Sequence, residues 1–120
     1  HANSAFDALL ALETLYLQSG LESSARAVRE TIARAVHVVI QAEMLPDHSR
    51  KIVEIAEVRG LDRTSPDCPY VTAGLYRFLP EGMENHRIRG RFEVAGPPRF
   101  VERLRKFNPG AIPEFWSSAP

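Results

Sequence analysis

The chain contains 120 residues, of which 44% are hydrophobic and 25% are charged, the composition of a globular protein with one core. This length is too short for two ordinary domains, so residues 1–120 are expected to form a single domain. The 15 basic and 15 acidic side chains leave no net charge. This balance excludes a general attraction to nucleic acid or anionic membranes and leaves only a local patch for such binding.

The first predicted element is a helix from Ala5 to Ser19. Ser4 is a suitable N-cap, and Asp7, three residues later, completes a capping box. Gly20 suits the left-handed position that ends a helix. Because leucines and alanines occupy most of the circumference of this segment, we expect the helix to be buried on most sides.

A second helix is predicted to end near Arg34, with Ser23 and Ser24 as its candidate N-caps. Arg26, Glu30 and Arg34 are spaced four residues apart, so we expect two i,i+4 ion pairs on the solvated face of this helix.

Segments rich in β-branched and aromatic residues predict four strands, at 36–42, 51–59, 70–79 and 87–94. The turn-forming residues 46–49 make the first two strands a hairpin, and the polar residues 80–85 connect the last two. Because the apolar run at 36–42 is continuous rather than alternating, we expect this strand in the centre of a sheet. Gly90 suggests a bulge in the last strand.

A closing helix follows Gly96-Pro97-Pro98, since proline fits the first helical turn. Its expected buried stripe consists of Phe100, Val101, Leu104 and Phe107. The predicted architecture is therefore α/β, with two helices, a strand hairpin, a second strand pair and a closing helix. The tail Ile112–Pro120 shows no periodicity, and the sequence leaves its position open.

Four segments carry a resemblance to a known family: His1-Ala2-Asn3-Ser4 with the following Leu12-Glu13-Thr14-Leu15, then Glu54-Ile55-Ala56-Glu57-Val58, Arg87–Phe92 and Pro98–Leu104. Together they resemble the traffic ATPases of type II/IV secretion systems, most closely the CpaF branch that drives Flp (tight-adherence) pilus assembly. The first segment is similar to the end of the family's histidine box. The resemblance extends over nearly the whole chain.

The resemblance implies that the chain is the distal half of a RecA-like (P-loop NTPase) domain. The whole protein would be a cytoplasmic, homo-hexameric motor, peripheral at the inner membrane through secretion or pilus platform proteins. It would use ATP and Mg²⁺ to power protein export or pilus assembly. His1 would then lie close to the terminal phosphates of the nucleotide and relay hydrolysis to the other subunits. The opening tetrapeptide would be a severed end, with the ATP-gripping residues upstream of it.

The sequence itself contains no complete catalytic motif. None of its seven glycines is followed by lysine, so the Gly-x-x-x-x-Gly-Lys-Ser/Thr loop that cradles phosphates is missing. Glu43 is a poor match for the acidic residue that holds Mg²⁺ and more simply ends a strand. We therefore expect neither a catalytic residue within these 120 residues nor ATP hydrolysis by them, and no nucleotide cofactor bound to this piece alone.

Other kinds of site are not indicated. His37, His48 and His86 are scattered, and the single Cys68 has no internal disulfide partner, which is typical of a reducing cytoplasm. No metal site and no nucleophilic triad is predicted. Since no apolar run reaches about 18 residues, no membrane span is predicted. A small hydrolase would need a clustered pocket that these spacings do not suggest.

The row Arg87, Arg89 and Arg91 alternates along the last predicted strand. These arginines form either a contact surface for a neighbouring subunit or secretion partner, or the solvated face of an edge strand protected by its charges. A free-standing protein-interaction module that uses this row is the alternative to the motor. Nucleic-acid binding is not expected, because the charge is balanced and no aromatics are interleaved. Half a parallel sheet would leave an unpaired edge, so the isolated chain is expected to self-associate.

Overall fold

The computed structural model describes residues 2–117, without the side chains of Phe115 and Ser117. Its architecture is mixed α/β, with helices before and after a single four-stranded sheet. The elements are α1 (Ala5–Gln18), α2 (Ala25–Ala35), β1 (Val38–Met44), β2 (Arg50–Leu61), β3 (Tyr70–Glu84), β4 (Arg87–Val94), α3 (Val101–Phe107), a 3₁₀ turn (Pro109–Ala111) and α4 (Glu114–Ser117).

Both predicted helix starts are confirmed. The Ser4 hydroxyl accepts a hydrogen bond from the Asp7 amide at 3.1 Å, and the Ser24 hydroxyl accepts one from Ala27 at 3.1 Å. Gly20 lies just beyond α1 with a φ of 78°, the left-handed conformation that was expected of it. Local capping chemistry therefore determines where these two helices begin and where α1 ends.

The sheet is a meander in the order β1-β2-β3-β4, and every neighbouring pair is antiparallel. No parallel pair occurs among the described strands, so the expected half of a parallel sheet is wrong for residues 2–117. The expected central position of the first strand is also wrong: β1 pairs only with β2 and lies at an edge. Only one face of its apolar run is packed: Val39 contacts the core, while Val38 and Ile40 remain exposed.

The main core lies between the sheet and the pair α1 and α2. Leu9, Val58 and Tyr70 form its centre, surrounded by partly buried side chains from both helices and from β1 and β2. Because neighbouring residues of a strand point to opposite faces, Glu57 lies on the other side of the sheet from Val58. There it contacts the segment that leads into α3. The sheet thus has helical structure on both faces.

Strand β3 is longer than predicted. It continues through residues 80–84, which were expected to be a connection, and these residues pair with β4. The turn consists of Asn85 and His86 alone, with φ values of 50° and 60°, as in the type I′ turns that favour tight hairpins. An irregularity between Pro80 and Gly82 absorbs one extra residue of β3, so the bulge lies opposite Gly90.

Two expectations about burial are wrong. In α1 only Ala5, Leu9 and Glu13 are buried, and Leu15 remains 64% exposed. The apolar stripe is as wide as predicted, but described residues cover only part of it. In α3, Val101 is buried whereas Phe100, Leu104 and Phe107 are exposed. Here too, described residues cover only part of the apolar stripe.

Candidate functional site

The first residues of the chain lie beside the exposed edge of the sheet. The Gln41 side-chain amide donates to the backbone carbonyl of Ala2 at 2.6 Å, which fixes Ala2 against β1. Together they border a cleft of about 660 Å³, whose remaining lining is Asn3, Ala42, Glu43, Met44 and Arg50. The predicted nucleotide-proximal residue, His1, lies outside the described residues. Glu43 is an exposed residue inside β1 rather than at its end.

A second, apolar groove of about 440 Å³ runs between α1 and β1. The His37 carbonyl accepts a hydrogen bond from the Val58 amide at 2.9 Å. Because hydrogen-bonded and non-bonded pairs alternate along an antiparallel ladder, the backbone groups of Val38 and Ile40 point away from β2. Both residues also line the groove, whose other wall includes Ala8, Ala11, Leu12 and Leu15 of α1. One wall of the groove is therefore the unpaired edge of β1, and the other is the apolar surface of α1.

Two of the four segments that carry the family resemblance contact each other at β2, and the residue that follows a third segment also contacts this strand. Glu54, at the start of the Glu-Ile-x-Glu-Val segment, accepts a 3.4 Å hydrogen bond from the amide of Ala5, which follows the His-Ala-Asn-Ser segment. On the opposite face, the carboxylate of Glu57 accepts a 2.8 Å bond from the amide of Arg99, in the Pro98–Leu104 segment. Arg59 adds a 3.0 Å ion pair to Glu57, which is 5% exposed.

A buried ionic cluster joins the helices to the start of β3. Glu13, although charged, is only 7% exposed. Its two carboxylate oxygens accept hydrogen bonds from Arg29 at 2.7 and 2.9 Å, and one of them also accepts the Tyr70 hydroxyl at 2.9 Å. Arg29 donates further to the Asp67 carbonyl at 2.6 Å and stacks over the Tyr70 ring. The cluster thereby links α1, α2, the β2–β3 loop and β3.

The ionisation of this cluster follows from these contacts. The hydrogen bonds from Arg29 lower the pKa of Glu13, and they outweigh the opposing effect of burial. The pKa of Arg29 is raised by its hydrogen bonds to Glu13. Burial, aided by the bond to Glu13, raises the pKa of Tyr70 above its usual range. Near neutral pH, Glu13 therefore stays ionised, Arg29 stays protonated and Tyr70 stays neutral, so the cluster holds the helices in place rather than transferring protons.

The same loop is attached to α2 a second time. Arg63 forms a two-pronged pair with Glu30, at 2.7 and 2.8 Å, which lowers the pKa of Glu30. The predicted i,i+4 pairs of Glu30 within α2 are therefore replaced by a partner from the loop, although Arg26 and Arg34 still contribute to the lowered pKa. Cys68 lies at the end of this loop and is 6% exposed, so it packs as a small buried side chain.

A further polar contact connects the two hairpins. Asp47, in the β1–β2 turn, accepts bonds from the hydroxyl and amide of Ser49 and from the amide of Ile88 in β4, the last at 2.7 Å. The hydrogen bond from the Ser49 hydroxyl is the largest cause that lowers the pKa of Asp47 to about 2. This contact keeps the β3–β4 hairpin folded against the first turn.

The arginine row lies on the exposed edge strand β4. Arg89 pairs with Glu84 at 3.1 Å, and Arg91 pairs with Glu81 at 2.8 Å, so these two guanidinium groups have partners within their own hairpin. Arg87 is exposed at the start of the strand and contributes to the lowered pKa of Asp47. The geometry matches the charged face of an edge strand, one of the two interpretations drawn from the sequence. Its role as an interface remains a prediction.

The described residues bring together neither a metal site nor a phosphate cradle. Within residues 2–117, no group of three or more His, Cys, Asp or Glu side chains is arranged to hold a metal ion. The cleft beside Ala2 is not lined by glycine amides or a lysine, so its residues alone do not fit a nucleoside triphosphate with Mg²⁺. His37, predicted to lie in a strand, instead precedes β1.

Sequence reasoning missed the Glu13–Arg29–Tyr70 cluster. Its members are separated by 16 and 57 residues, and no local spacing signals such contacts. The one available signal was a charged side chain, Glu13, on an otherwise apolar turn of α1. A carboxylate in that position requires a buried partner.

The fold and these contacts define a mixed α/β protein with a four-stranded antiparallel sheet, open at β1. No protein-family model matches the chain, and no curated protein matches it either. Among the helices of residues 2–117, none has both the length and the apolar character needed to cross a membrane.

Proposed function

We propose that this chain is a distal part of the RecA-like domain of a traffic ATPase of the type II/IV secretion systems, in the CpaF branch. The whole protein would be a hexameric motor that couples ATP hydrolysis to protein export or Flp pilus assembly. It would work at the cytoplasmic side of the inner membrane through platform proteins. ATP and Mg²⁺ would be held by residues other than those described here.

The observation that carries this proposal is the convergence of the resembling segments. Glu54 contacts the start of α1 and Glu57 contacts Arg99, so one strand joins the histidine-box end of the chain to its closing segment. The resemblance requires these segments to belong to one structural unit, and the contacts at β2 agree with that requirement. These contacts give the matched glutamates of the Glu-Ile-x-Glu-Val segment a physical role.

The open edge of β1 provides further support. Val38 and Ile40 direct their backbone groups away from β2, and both residues line the apolar groove beside α1. A strand placed there would extend the sheet beyond β1, and α1 would bury its side chains. A RecA-like core next to β1 would supply such a strand and would cover the leucines of α1 that are exposed.

ATP turnover tests the proposal directly. We expect the protein expressed from its full reading frame to hydrolyse ATP with Mg²⁺, and the 120-residue chain alone to be inactive. In the full protein, His1→Ala is expected to lower kcat with little change in the affinity for ATP, because the imidazole would act on the terminal phosphates. His86→Ala, a histidine exposed in the β3–β4 turn, is the matched control.

A full reading frame without a phosphate-binding loop would overturn the proposal. So would ATP hydrolysis by the 120-residue chain. The alternative, a protein-interaction module, would instead be supported if Arg87→Ala abolished binding to a captured partner. The pairing of Arg89 and Arg91 with their own hairpin leaves less unbalanced charge for such a partner.

A further inference from the structure

Helix α3 is held to the sheet along one side only. Its entry is fixed by the bond from the Arg99 amide to the buried carboxylate of Glu57. Pro98 is fully buried, and Val101 is 4% exposed. The start of the helix is therefore anchored to the sheet.

That outer side is apolar. Phe100, Leu104 and Phe107 follow one another at four and three residues, which places them on one stripe of a helix. Their exposures are 37%, 36% and 74%. We call these three residues the α3 stripe. Exposed aromatic side chains in a row are characteristic of a binding surface rather than of ordinary solvated surface.

The stripe is accompanied by basic side chains. Arg99, Arg103, Arg105 and Lys106 are all exposed, and Glu102 is the only acid between them. Residues 99–107 therefore carry a net charge of +3, whereas the whole chain is neutral. Glu102 pairs with Arg105 at 2.9 Å, and the Lys106 ammonium lies 5.7 Å from the centroid of the Phe107 ring. This is the local patch that a neutral chain needs to bind an anionic surface.

We propose that the α3 stripe docks on an anionic lipid surface. Its two phenylalanines and Leu104 would enter the interface, while the basic side chains contact lipid phosphates. The side chains match a lipid surface better than a nucleic acid, because Leu104 offers no stacking plane to a base. The proposal depends on the geometry of α3 and is independent of the proposed ATPase activity.

Vesicle flotation of the intact chain tests it. We expect the protein to float with vesicles of 30% phosphatidylglycerol in phosphatidylcholine, to float weakly with phosphatidylcholine alone, and to be released by high salt. Each basic residue near such a surface contributes about fivefold in affinity. Arg103→Gln with Lys106→Gln is therefore expected to weaken binding about 25-fold, and Phe107→Ser about tenfold.

The matched control removes two exposed charges elsewhere. Arg26→Gln with Arg34→Gln on α2 has the same net charge as the α3 double variant and is expected to float like the unmodified protein. All of these side chains are exposed, so the variants should fold, and circular dichroism checks this.

Several outcomes would overturn the proposal. Absence of flotation with anionic vesicles would do so, as would equal losses in the α2 and α3 double variants. If Phe107→Ser leaves flotation intact but dissociates a dimer seen by sedimentation, the stripe contacts a second copy instead. Tighter binding of single-stranded DNA than of vesicles, lost in the α3 double variant, would assign the patch to nucleic acid.

Discussion

Arginine–glutamate pairs occur at both ends of the sheet, but in different surroundings. Glu13 and Arg29 lie beneath the helices with side-chain exposures of 9% and 22%, and Tyr70 completes the carboxylate's hydrogen bonds. Arg91 and Glu81 lie on the β3–β4 hairpin with exposures of 62% and 55%. Their distances are nearly equal, at 2.7 and 2.8 Å.

The comparison shows that the distance between two charged groups does not by itself determine how much their ion pair contributes to stability. In the buried pair, removal of Glu13 leaves the Arg29 guanidinium largely shielded from water, with the Asp67 carbonyl as its remaining acceptor. In the exposed pair, water and salt replace the lost partner. The helical end of the molecule should therefore depend on its ion pair for stability, and the hairpin end should not.

The largest effect is expected for Glu13→Ala. The substitution removes the acceptor that the Arg29 guanidinium and the Tyr70 hydroxyl share, so we expect a loss of about 3 kcal/mol in the free energy of unfolding, measured in urea. Tyr70→Phe removes only one hydrogen bond and should lose about 1 kcal/mol. Equal small losses in the two variants would show that the buried cluster is not a source of stability.

Gly90→Ala tests whether the hairpin depends on close packing instead of charge. A methyl group at this position would overlap the carbonyl oxygen of Leu79 and lie 2.6 Å from the Phe78 ring. We expect a loss of about 2 kcal/mol in urea unfolding. Gly74→Ala, where the added methyl group has no neighbour within 4 Å, is the control and should change stability little. If Gly90→Ala leaves the free energy of unfolding unchanged, the close packing of Leu79 and Phe78 around Gly90 is contradicted.

The pH dependence tests the contact between the two hairpins. The folded-state pKa of Asp47 is about 2, below its ordinary value of 3.8. Its hydrogen bonds therefore stabilise the fold above about pH 4, and this contribution is lost as the pH falls toward 2. As the pH is lowered, the free energy of unfolding measured in urea should fall less for Asp47→Asn than for the unmodified protein. If the free energy of unfolding falls equally with pH in both proteins, Asp47 does not contribute to the acid dependence of stability.

The smallest effect is expected for Arg91→Ala. Because both partners are exposed, the loss should be about 0.5 kcal/mol or less, and it should vanish at high salt. A double-mutant cycle with Glu81→Ala measures the pair directly. If Arg91 and Glu81 showed a coupling energy as large as that of Glu13 and Arg29, burial would not determine how much each pair contributes to stability.

Features that depend on neighbouring residues were predictable from the sequence. Ser4 and Ser24 cap their helices, and the turn at 46–49 and the bounds of β4 agree with expectation. Each is determined by side-chain chemistry within a few residues. The mixed α/β class follows from these local patterns.

Features that depend on distant partners were not predictable. The apolar pattern of α1 correctly marks a surface that avoids water, but it does not say which residues cover it. The edge position of β1 depends on strand order, and the Glu13 cluster depends on contacts across 57 residues. The turn at Asn85-His86 was missed because glycine, the usual second residue of such turns, is absent.

The hydrogen bond between Asp47 and Ile88 makes the two edges of the sheet unequal. At β4 it occupies an outward backbone amide near the start of the strand, so that stretch is closed to any incoming chain. At β1 the amides and carbonyls of Val38 and Ile40 have no strand beside them among residues 2–117. A strand that extends the sheet would therefore find the start of β4 occupied but the edge of β1 at Val38 and Ile40 open.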